Sequence, residues 1–266
     1  MSGPQTIVVT GATRGIGLGL ARELLARGSR VVICGRSQES VDKALATLGA
    51  GERATGIPAD VSRRDDVQRV WDHAIATYGR VDQWVNNAGM SVIRKPLDQV
   101  PVDAATAIVH TNLLGVINGT AVSMTGMKKQ GAGVIWNMEG FGSNGMKAKN
   151  LALYGATKRA VTYFTESLAK DTKDSPVSVC FLSPGIVLTD LLVDDYEGQP
   201  AELEKAKKFF NILGDRVETV TPFLAAGILE PHKSGDRVAW LTRGKAGSRF
   251  FEAFVLRKKR DIFAEG

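Results

Sequence analysis

The sequence predicts an α/β domain built around a parallel sheet. Over the first 90 residues, short runs of apolar and β-branched residues alternate with segments of helical periodicity, which is typical of βαβ units. The 266 residues, 44% hydrophobic and 23% charged, are enough to bury one large core. No repeat, proline-rich linker or low-complexity segment marks a boundary, so we expect a single domain over residues 1–266.

Four strands and three helices are predicted before residue 90. The first strand is TIVVT, residues 6–10, and the helix that follows the glycine-rich turn ends at Gly28. The apolar runs predict three further strands, at 31–34, 55–59 and 81–85. The other two helices are predicted at 41–48 and 67–78.

The second half of the chain predicts another βαβ unit and an insertion. A long helix over 103–127 precedes a fifth strand at 134–138, and a helix from about 151 to 169 leads to a strand at 177–182. Residues 190–215 are polar, rich in Lys and Glu, and loosely helical. Such an insertion is typical of a segment that covers a site, so we expect a substrate lid there.

Charge, cysteine and histidine content bear on partners and compartment. The 34 basic and 28 acidic residues give a net charge of +6, which favours anionic ligands without indicating a nucleic-acid-binding protein.

Cys34 and Cys180 lie in apolar strands and predict buried free thiols. The first residues lack the features of a secretory signal, so we expect a cytoplasmic protein. His73, His110 and His232 are scattered, so we expect no metal site.

The segment TIVVTGATRGIGLGLA, which begins at residue 6, carries the strongest local signal. Gly11, Gly15 and Gly17 follow a predicted strand and open a predicted helix. Glycines at these positions let the backbone turn sharply and approach a pyrophosphate, whose charge the helix N-terminus stabilises. A tight turn without a ligand is the alternative, but the strand–turn–helix context favours a dinucleotide site.

The end of the second strand bears on which dinucleotide binds. Proteins that bind NAD place an acidic residue there, on the ribose 2′-hydroxyl, whereas this chain has Gly35, Arg36 and Ser37. Arg14 of the glycine loop is expected within reach of the same place, and two guanidinium groups would hold a 2′-phosphate. Each arginine alone is equally consistent with a solvated surface charge. Together with the missing acid they favour NADP(H).

Tyr154 and Lys158 lie four residues apart at the start of a predicted helix, so they share one helical face. A neighbouring ammonium favours tyrosinate and brings the tyrosine pKa closer to neutral pH, as a group that donates and accepts a proton requires. In isolation such a pair is usually an ordinary amphipathic pair. The glycine motif upstream favours the catalytic interpretation.

Four motifs together resemble the short-chain dehydrogenase/reductase family: TGATRGIG, NNAG at 86–89, YGATK and SPG at 183–185. The resemblance covers about residues 5–190. It implies a Rossmann-like, doubly wound, seven-stranded parallel sheet flanked by helices, and hydride transfer with NAD(P)H. We also expect a homodimer or a homotetramer.

The resemblance implies roles for individual residues. Tyr154 would be the acid/base, and Lys158 would bind the nicotinamide ribose and lower the pKa of Tyr154. Asn112, in the segment HTNLLG, would hold a proton-relay water, and Asp60 and Val61 match the adenine contact. The other cofactor contacts that the resemblance implies are Gly11, Thr13, Arg14, Gly15, Ile16, Gly17, Arg36, Ser37, Asn87, Ala88, Gly89, Pro184, Gly185, Val187 and Thr189.

The chain departs from the family pattern at the end of the fifth strand. Most members have a serine there that hydrogen-bonds the substrate oxygen, but here the position is Gly140, which has no side-chain donor. Losing a donor to a developing oxyanion can cost about 3 to 4 kcal/mol, so another group must compensate. Ser143 is the candidate catalytic hydroxyl, although a serine in a glycine-rich loop is also typical of a turn.

The segments NMEG, FGS and SPGIVLTDLL resemble the chlorophyll b reductase branch, which reduces a formyl group on a chlorin. We therefore expect an NADPH-dependent carbonyl reductase of the alcohol dehydrogenase type, acting on a bulky apolar aldehyde or ketone. The alternative is a non-catalytic NADP-binding redox sensor or scaffold, which Gly140 suggests. The intact Tyr154 and Lys158 favour the enzyme.

Residues 243–266 form a basic and aromatic C-terminal extension. Its segment FFEAFVLRKKRDIF combines aromatic rings with the basic run at 257–260. An anionic membrane surface could hold such a stretch, and nucleic acid is a weaker alternative because the rings do not alternate with the charges. We expect instead a helix packed on its own subunit or on a dimer partner, with a solvated charged end.

Overall fold

The strands of the main sheet follow the apolar runs of the sequence. A computed structural model describes residues 3–91 and 94–264. In chain order the strands are β1 (Thr6–Thr10), β2 (Arg30–Gly35), β3 (Ala54–Pro58), β4 (Gln83–Asn86), β5 (Gly133–Met138), β6 (Val177–Ser183), β7 (Ile186–Leu188), β8 (Gly214–Arg216) and β9 (Arg237–Ala239). The main sheet has the order β3-β2-β1-β4-β5-β6-β9 with every pair parallel, which confirms the predicted doubly wound, seven-stranded sheet.

Helices cover both faces of this sheet. They are α1 (Gly15–Ala26), α2 (Gln38–Leu48), α3 (Arg64–Tyr78), α4 (Val102–Val109), α5 (Gly115–Gln130), α6 (Ala152–Asp171), α7 (Asp190–Asp194), α8 (Pro200–Leu213), α9 (Val217–Leu229) and α10 (Arg243–Phe254). Side chains of a strand alternate between faces, so Ile7 and Val9 of β1 pack in one core with α1, α2 and α9. Val8 packs in the other core, with α3 and α5.

Several predicted elements differ in detail from those observed, and α2 and α3 each begin three residues before their predicted starts. The helix expected over 103–127 is interrupted by a π-helical turn at His110–Leu114, so α4 and α5 are separate segments of a continuous helical path. The strand expected at 81–85 is Gln83–Asn86. The polar insertion at 190–215 contains α7 and α8 and ends in β8, which pairs with β7 in a second, two-stranded sheet that periodicity did not predict.

Close packing of α3 on α5 depends on a glycine. A β carbon built on Gly126 of α5 would lie 2.0 Å from Cζ2 of Trp71, a residue of α3 that is 7% exposed. Gly247, in the middle of α10, is also helical, but a β carbon there would meet no atom within 4 Å. Both glycines lie within helices, so the two positions differ in the atoms that a new methyl group would contact.

These two positions give opposite predictions for the same substitution. Gly126→Ala forces a methyl group into the Trp71 ring, so we expect the free energy of unfolding to fall by about 1 to 3 kcal/mol. Gly247→Ala removes backbone entropy from the unfolded chain without a clash, so we expect a gain of up to about 1 kcal/mol. Urea denaturation of both variants measures the difference. Equal effects at the two sites would contradict the packing of α3 on α5.

Candidate functional site

The carboxyl ends of the central strands converge on one cleft of about 1090 Å³. Parallel strands bring their carboxyl ends to the same edge of a sheet, and ligands of such folds bind in the crevice outside that edge. All of the expected cofactor contacts line this cleft except Ser37. Of the four expected catalytic residues, Tyr154, Lys158 and Ser143 line it, whereas Asn112 lies behind the wall.

The glycine loop is shaped by close backbone contacts. Gly11 and Gly15 have φ of +62° and +55°, a region that glycine adopts without strain. A β carbon on Gly11 would lie 2.7 Å from Cα of Ala88, and one on Gly17 would lie 2.5 Å from Nδ2 of Asn87. The Asn87 amide donates to the carbonyl oxygens of Thr10 and Gly11, at 2.8 and 3.1 Å. The NNAG segment therefore holds the glycine loop in place.

The start of α1 suits an anionic ligand. Its N-terminal residue, Gly15, lines the cleft, and no side chain caps the first turn. The N–H groups at a helix N-terminus need acceptors and favour negative charge, as a pyrophosphate provides. The glycine loop, which has no side chain at Gly11, Gly15 or Gly17, and the uncapped first turn of α1 therefore fit a dinucleotide.

The two arginines that were expected to act together have different surroundings. Arg14 lies 3.6 Å from Asp190 and 3.9 Å from Asp194, so its guanidinium is directed to the acidic residues of α7. Arg36 is exposed and lines the cleft, and no ion pair to it is found among the residues described. Ser37 caps α2, with its Oγ accepting from the Ser40 N–H at 3.3 Å. Within the described part of the chain, Arg36 is therefore the guanidinium at the end of β2 that is not already paired.

Tyr154 and Lys158 lie on the cleft-facing side of α6. The Lys158 Nζ donates to the Met138 carbonyl oxygen at 3.2 Å and lies 5.8 Å from the centre of the Tyr154 ring. Burial lowers the pKa of Lys158 to about 8, and the Glu139 carboxylate partly offsets this. Burial also raises the pKa of Tyr154, as does the charge of Asp195. In the protein without cofactor, both influences on the Tyr154 pKa therefore raise it, and its lowering by Lys158 remains a prediction.

Gly140 and Tyr154 are in close contact. A β carbon at Gly140 would lie 2.6 Å from the Tyr154 Oη and 3.1 Å from Cε of Lys158. The Ser143 Oγ accepts from the Gly140 N–H at 3.1 Å and donates to the Lys158 carbonyl oxygen at 3.4 Å. The Ser143 hydroxyl thus stabilises the loop that carries Gly140, and its catalytic role remains a prediction.

Asn112 lies in the π-helical turn and is fully buried. Its Oδ1 accepts from the Met90 N–H and its Nδ2 donates to the Met90 carbonyl oxygen, both at 2.8 Å. Nδ2 also donates to Oγ1 of Thr157 at 3.2 Å. These bonds join the segment after β4 to α6, and the proton-relay role of Asn112 remains a prediction.

Glu139 is a site residue that sequence reasoning did not identify. It directly precedes Gly140, its side chain is 8% exposed, and its Oε2 lies 3.1 Å from Nε of Arg237. The Thr162 hydroxyl donates to Oε1 at 3.4 Å. The signal in the sequence was an acidic residue at the end of a buried strand, where a carboxylate needs a partner.

The insertion at 190–215 contributes one wall of the cleft. Burial raises the pKa of Asp195 to about 6, and its carbonyl oxygen accepts from the Arg94 N–H at 3.0 Å. The Arg94 guanidinium lies 4.4 Å above the centre of the Tyr196 ring. This wall is mostly apolar: its lining includes Leu191, Leu192, Tyr196, Phe209, Phe210 and Leu213.

Known structures share this architecture. A 3-ketoacyl-(acyl-carrier-protein) reductase from Brucella melitensis complexed with NADH superimposes with a TM-score of 0.78, covering 89% of this chain and 96% of that chain at 26% identity. A variant of the actinorhodin polyketide ketoreductase with NADPH gives a TM-score of 0.79 with the same coverage and identity. Both structures contain a nicotinamide dinucleotide, which is the class of cofactor that this cleft takes.

Known proteins from plants are similar to this chain in sequence. The chlorophyll(ide) b reductase NOL of Arabidopsis thaliana is 36% identical over all of this chain and 78% of its own length. The probable chlorophyll(ide) b reductase NYC1 of the same plant is 36% identical over 91% of this chain, which spans about half of that relative. Both are chloroplastic, as are their Oryza sativa counterparts. The expectation of a cytoplasmic protein is therefore wrong.

The short chain dehydrogenase family model matches residues 5–200, which include the glycine loop, the NNAG segment, Tyr154 and Lys158. The relatives narrow the assignment further, because they match far beyond these shared motifs. The chain belongs to the short-chain dehydrogenase/reductase family of oxidoreductases, within its chlorophyll b reductase branch.

Proposed function

We propose that this protein is an NADPH-dependent carbonyl reductase that reduces a formyl or keto group on a bulky apolar substrate. A chlorin formyl group, as in chlorophyllide b, is the first candidate because of the names of the plant relatives. The observation that carries the proposal is that Tyr154 lines the same cleft as the glycine loop and the apolar side chains of the lid. A non-catalytic sensor or scaffold is not favoured, since the family and the relatives are oxidoreductases.

NADPH bound in the cleft would supply the hydride. The glycine loop and the uncapped start of α1 would bind its pyrophosphate. Arg36 would hold the 2′-phosphate, with Arg14 as a second guanidinium if it leaves Asp190 and Asp194. Lys158 would bind the nicotinamide ribose. NADPH is favoured over NADH by the arginine and by the missing acid at the end of β2.

Tyr154 would donate the proton to the substrate oxygen. Its raised pKa keeps the hydroxyl protonated at neutral pH, which is the form that a reduction requires. As the proton leaves, negative charge develops on the tyrosine oxygen, and the Lys158 ammonium stabilises it through the low-dielectric interior of the site. Gly140 offers no second hydroxyl, so Tyr154 is the principal donor to the substrate oxygen in this proposal.

The lid would select the substrate. Its apolar side chains, among them Leu192, Tyr196 and Phe209, face the same cleft as Tyr154. Apolar walls with few polar groups are typical of sites that take large apolar ligands. The direct test is to measure NADPH oxidation with a panel of formyl and keto substrates that includes chlorophyllide b.

Tyr154→Phe should lower kcat on such a substrate by at least about a hundredfold, since it removes only the proton donor. The affinity for NADPH should be unchanged. Steady-state kinetics and calorimetry measure the two quantities. Tyr163→Phe, on the exposed side of the same helix, is the matched control and should have no effect. Near-normal turnover in Tyr154→Phe would exclude this tyrosine as the proton donor.

Gly140→Ser should damage the enzyme although it restores the usual family residue. The new β carbon would displace the Tyr154 hydroxyl, and a displacement of about 1 Å at a reacting group can cost about a hundredfold in rate. At Gly155, beside the tyrosine, a β carbon would have its nearest neighbour at 3.9 Å, so Gly155→Ala should keep normal kcat. A Gly140→Ser enzyme as fast as wild type would show that the contact between Gly140 and Tyr154 is not required.

The reduction should slow as pH rises through about 8, because Lys158 then loses the proton that stabilises the developing tyrosinate. Glu139→Gln removes the carboxylate that supports the charged ammonium, so the Lys158 pKa should fall and the alkaline limb of kcat should move to lower pH. Profiles of kcat against pH for both enzymes measure this shift. Glu218→Gln, an exposed substitution on α9, is the control and should leave the profile unchanged. If the alkaline limb of kcat in Glu139→Gln lies at the same pH as in wild type, Glu139 does not affect the pKa of Lys158.

Arg36→Ala should weaken NADPH binding by roughly tenfold to a hundredfold, the range expected for hydrogen bonds to a charged phosphate. NADH binding should not change, because NADH lacks the 2′-phosphate. Calorimetry with both dinucleotides on wild type, Arg36→Ala and the exposed α1 variant Arg22→Ala gives the comparison. Equal affinity of the wild type for NADPH and NADH would remove the assignment to NADP.

A further inference from the structure

One buried carboxylate holds both ends of the segment 250–259. The side chain of Asp215, in β8, is 3% exposed. It lies 2.7 Å from Nη2 of Arg249, which precedes the segment, and 2.7 Å from Nη2 of Arg260, which follows it. The Trp240 Nε1 also donates to Oδ2, at 2.5 Å. The two arginines therefore fix where the segment leaves the body of the protein and where it returns.

Further contacts strengthen both ends. Arg249 donates to the Leu213 carbonyl oxygen and Arg260 to that of Ile212, each at 2.9 Å. Beyond the segment, Ile262 is 6% exposed and packs with Phe210 and Tyr196 of the lid. The segment is thus bound to the body at both ends.

The segment 250–259 presents apolar side chains to solvent. Phe251, Phe254, Val255 and Leu256 are exposed by 54%, 69%, 60% and 51%. The rings of Phe250 and Phe254 stack with their centres 6.0 Å apart. Arg249 thus binds the body of its own subunit, whereas the aromatic end of α10 is uncovered in the single chain. The expected packing of this helix on a dimer partner remains a prediction. A contiguous apolar surface of this kind marks an interaction site.

Three basic residues continue the apolar surface without interruption. Arg257, Lys258 and Lys259 are all exposed, and they directly follow Leu256. The neighbouring Arg260 is already paired with Asp215. We use the name tail patch for Phe250, Phe251 and residues 254–259.

Charge and polarity together identify what fits the tail patch. An anionic bilayer offers an apolar interior for the rings and a negatively charged surface for the cations. A second copy packed about a twofold axis would bring the same cations to the same interface, where like charges repel. Rings and charges occupy separate parts of the patch, whereas a nucleic-acid platform needs them interleaved.

We propose that the tail patch docks this protein on an anionic lipid surface. Among the described residues, no helix is long and apolar enough to cross a membrane. Ala246, in the same helix, lines the cleft, and Phe254 lies eight residues further on, about 12 Å along the axis. Docking therefore brings the part of the cleft that Ala246 lines near the bilayer. The lipid contact itself does not depend on which substrate is reduced.

Co-flotation of the full chain with vesicles tests the proposal. Vesicles of phosphatidylcholine mixed with phosphatidylglycerol should carry the protein, vesicles of phosphatidylcholine alone should carry little, and added salt should release it. The double variant K258E/K259E should partition about thirtyfold less or worse, as the loss of two surface cations implies. Phe251→Ser with Phe254→Ser should also reduce binding on the anionic vesicles.

Matched controls distinguish binding through the tail patch from non-specific binding through any exposed charge or aromatic ring. K128E/K129E makes the same charge change at the exposed end of α5, and Tyr163→Ser removes an exposed ring elsewhere. Both should bind like wild type, and all variants should keep the wild-type melting temperature. Equal flotation with both vesicle types, or equal loss in K128E/K129E, would overturn the proposal. So would a fall in sedimentation mass in the tail variants, since the patch would then be a subunit interface.

Discussion

The contact between Gly140 and the Tyr154 hydroxyl is the constraint on which the rest of the site depends. Strand β5 ends directly before Glu139, and the absence of a side chain at Gly140 lets α6 bring Tyr154 against the backbone. Lys158 follows one turn later and reaches the Met138 carbonyl oxygen. Where most of the family places a hydroxyl, this chain has a close approach between backbone and tyrosine. Tyr154, the proposed proton donor, is thus positioned by packing, and the Ser143 bonds stabilise the loop that carries Gly140.

Burial also shifts the pKa values of Tyr154 and Lys158. It moves their pKa values in opposite directions, because it disfavours the charged form of each. Tyr154 stays neutral with its proton in place, and Lys158 titrates near pH 8, with Glu139 favouring its charged form. The site without cofactor is therefore in the protonation state that a reduction needs at its start.

The lid and the tail are held to the body with unequal strength. Near α7, the ion pairs of Arg14 with Asp190 and Asp194 are mostly exposed and are weakened by water and salt. At the other end, Asp215 is buried among two arginines and Trp240. A single strand, β8, thus fixes both the end of the lid and the base of the tail patch.

Local signals in the sequence predicted the sheet, the glycine loop and the Tyr154–Lys158 pair, because each depends on residues close together in the chain. The pairing of Glu139 with Arg237 and the contact of Arg94 with Asp195 could not be predicted this way, since they join segments about a hundred residues apart. The partners of Arg14 were missed for the same reason. The cytoplasmic compartment was predicted from the lack of secretory-signal features in the first residues, and the chloroplastic relatives contradict it.

Transfer of deuterium from the cofactor to the substrate is the decisive test of reduction that depends on Tyr154. NADPH carrying deuterium at the transferable position of nicotinamide C4 is incubated with the enzyme and chlorophyllide b, and the product is analysed by mass spectrometry. We expect one deuterium on the new hydroxymethyl carbon, with no labelled product from Tyr154→Phe. An enzyme that binds NADPH but forms no labelled alcohol from this or any other formyl or keto substrate of the panel would contradict it.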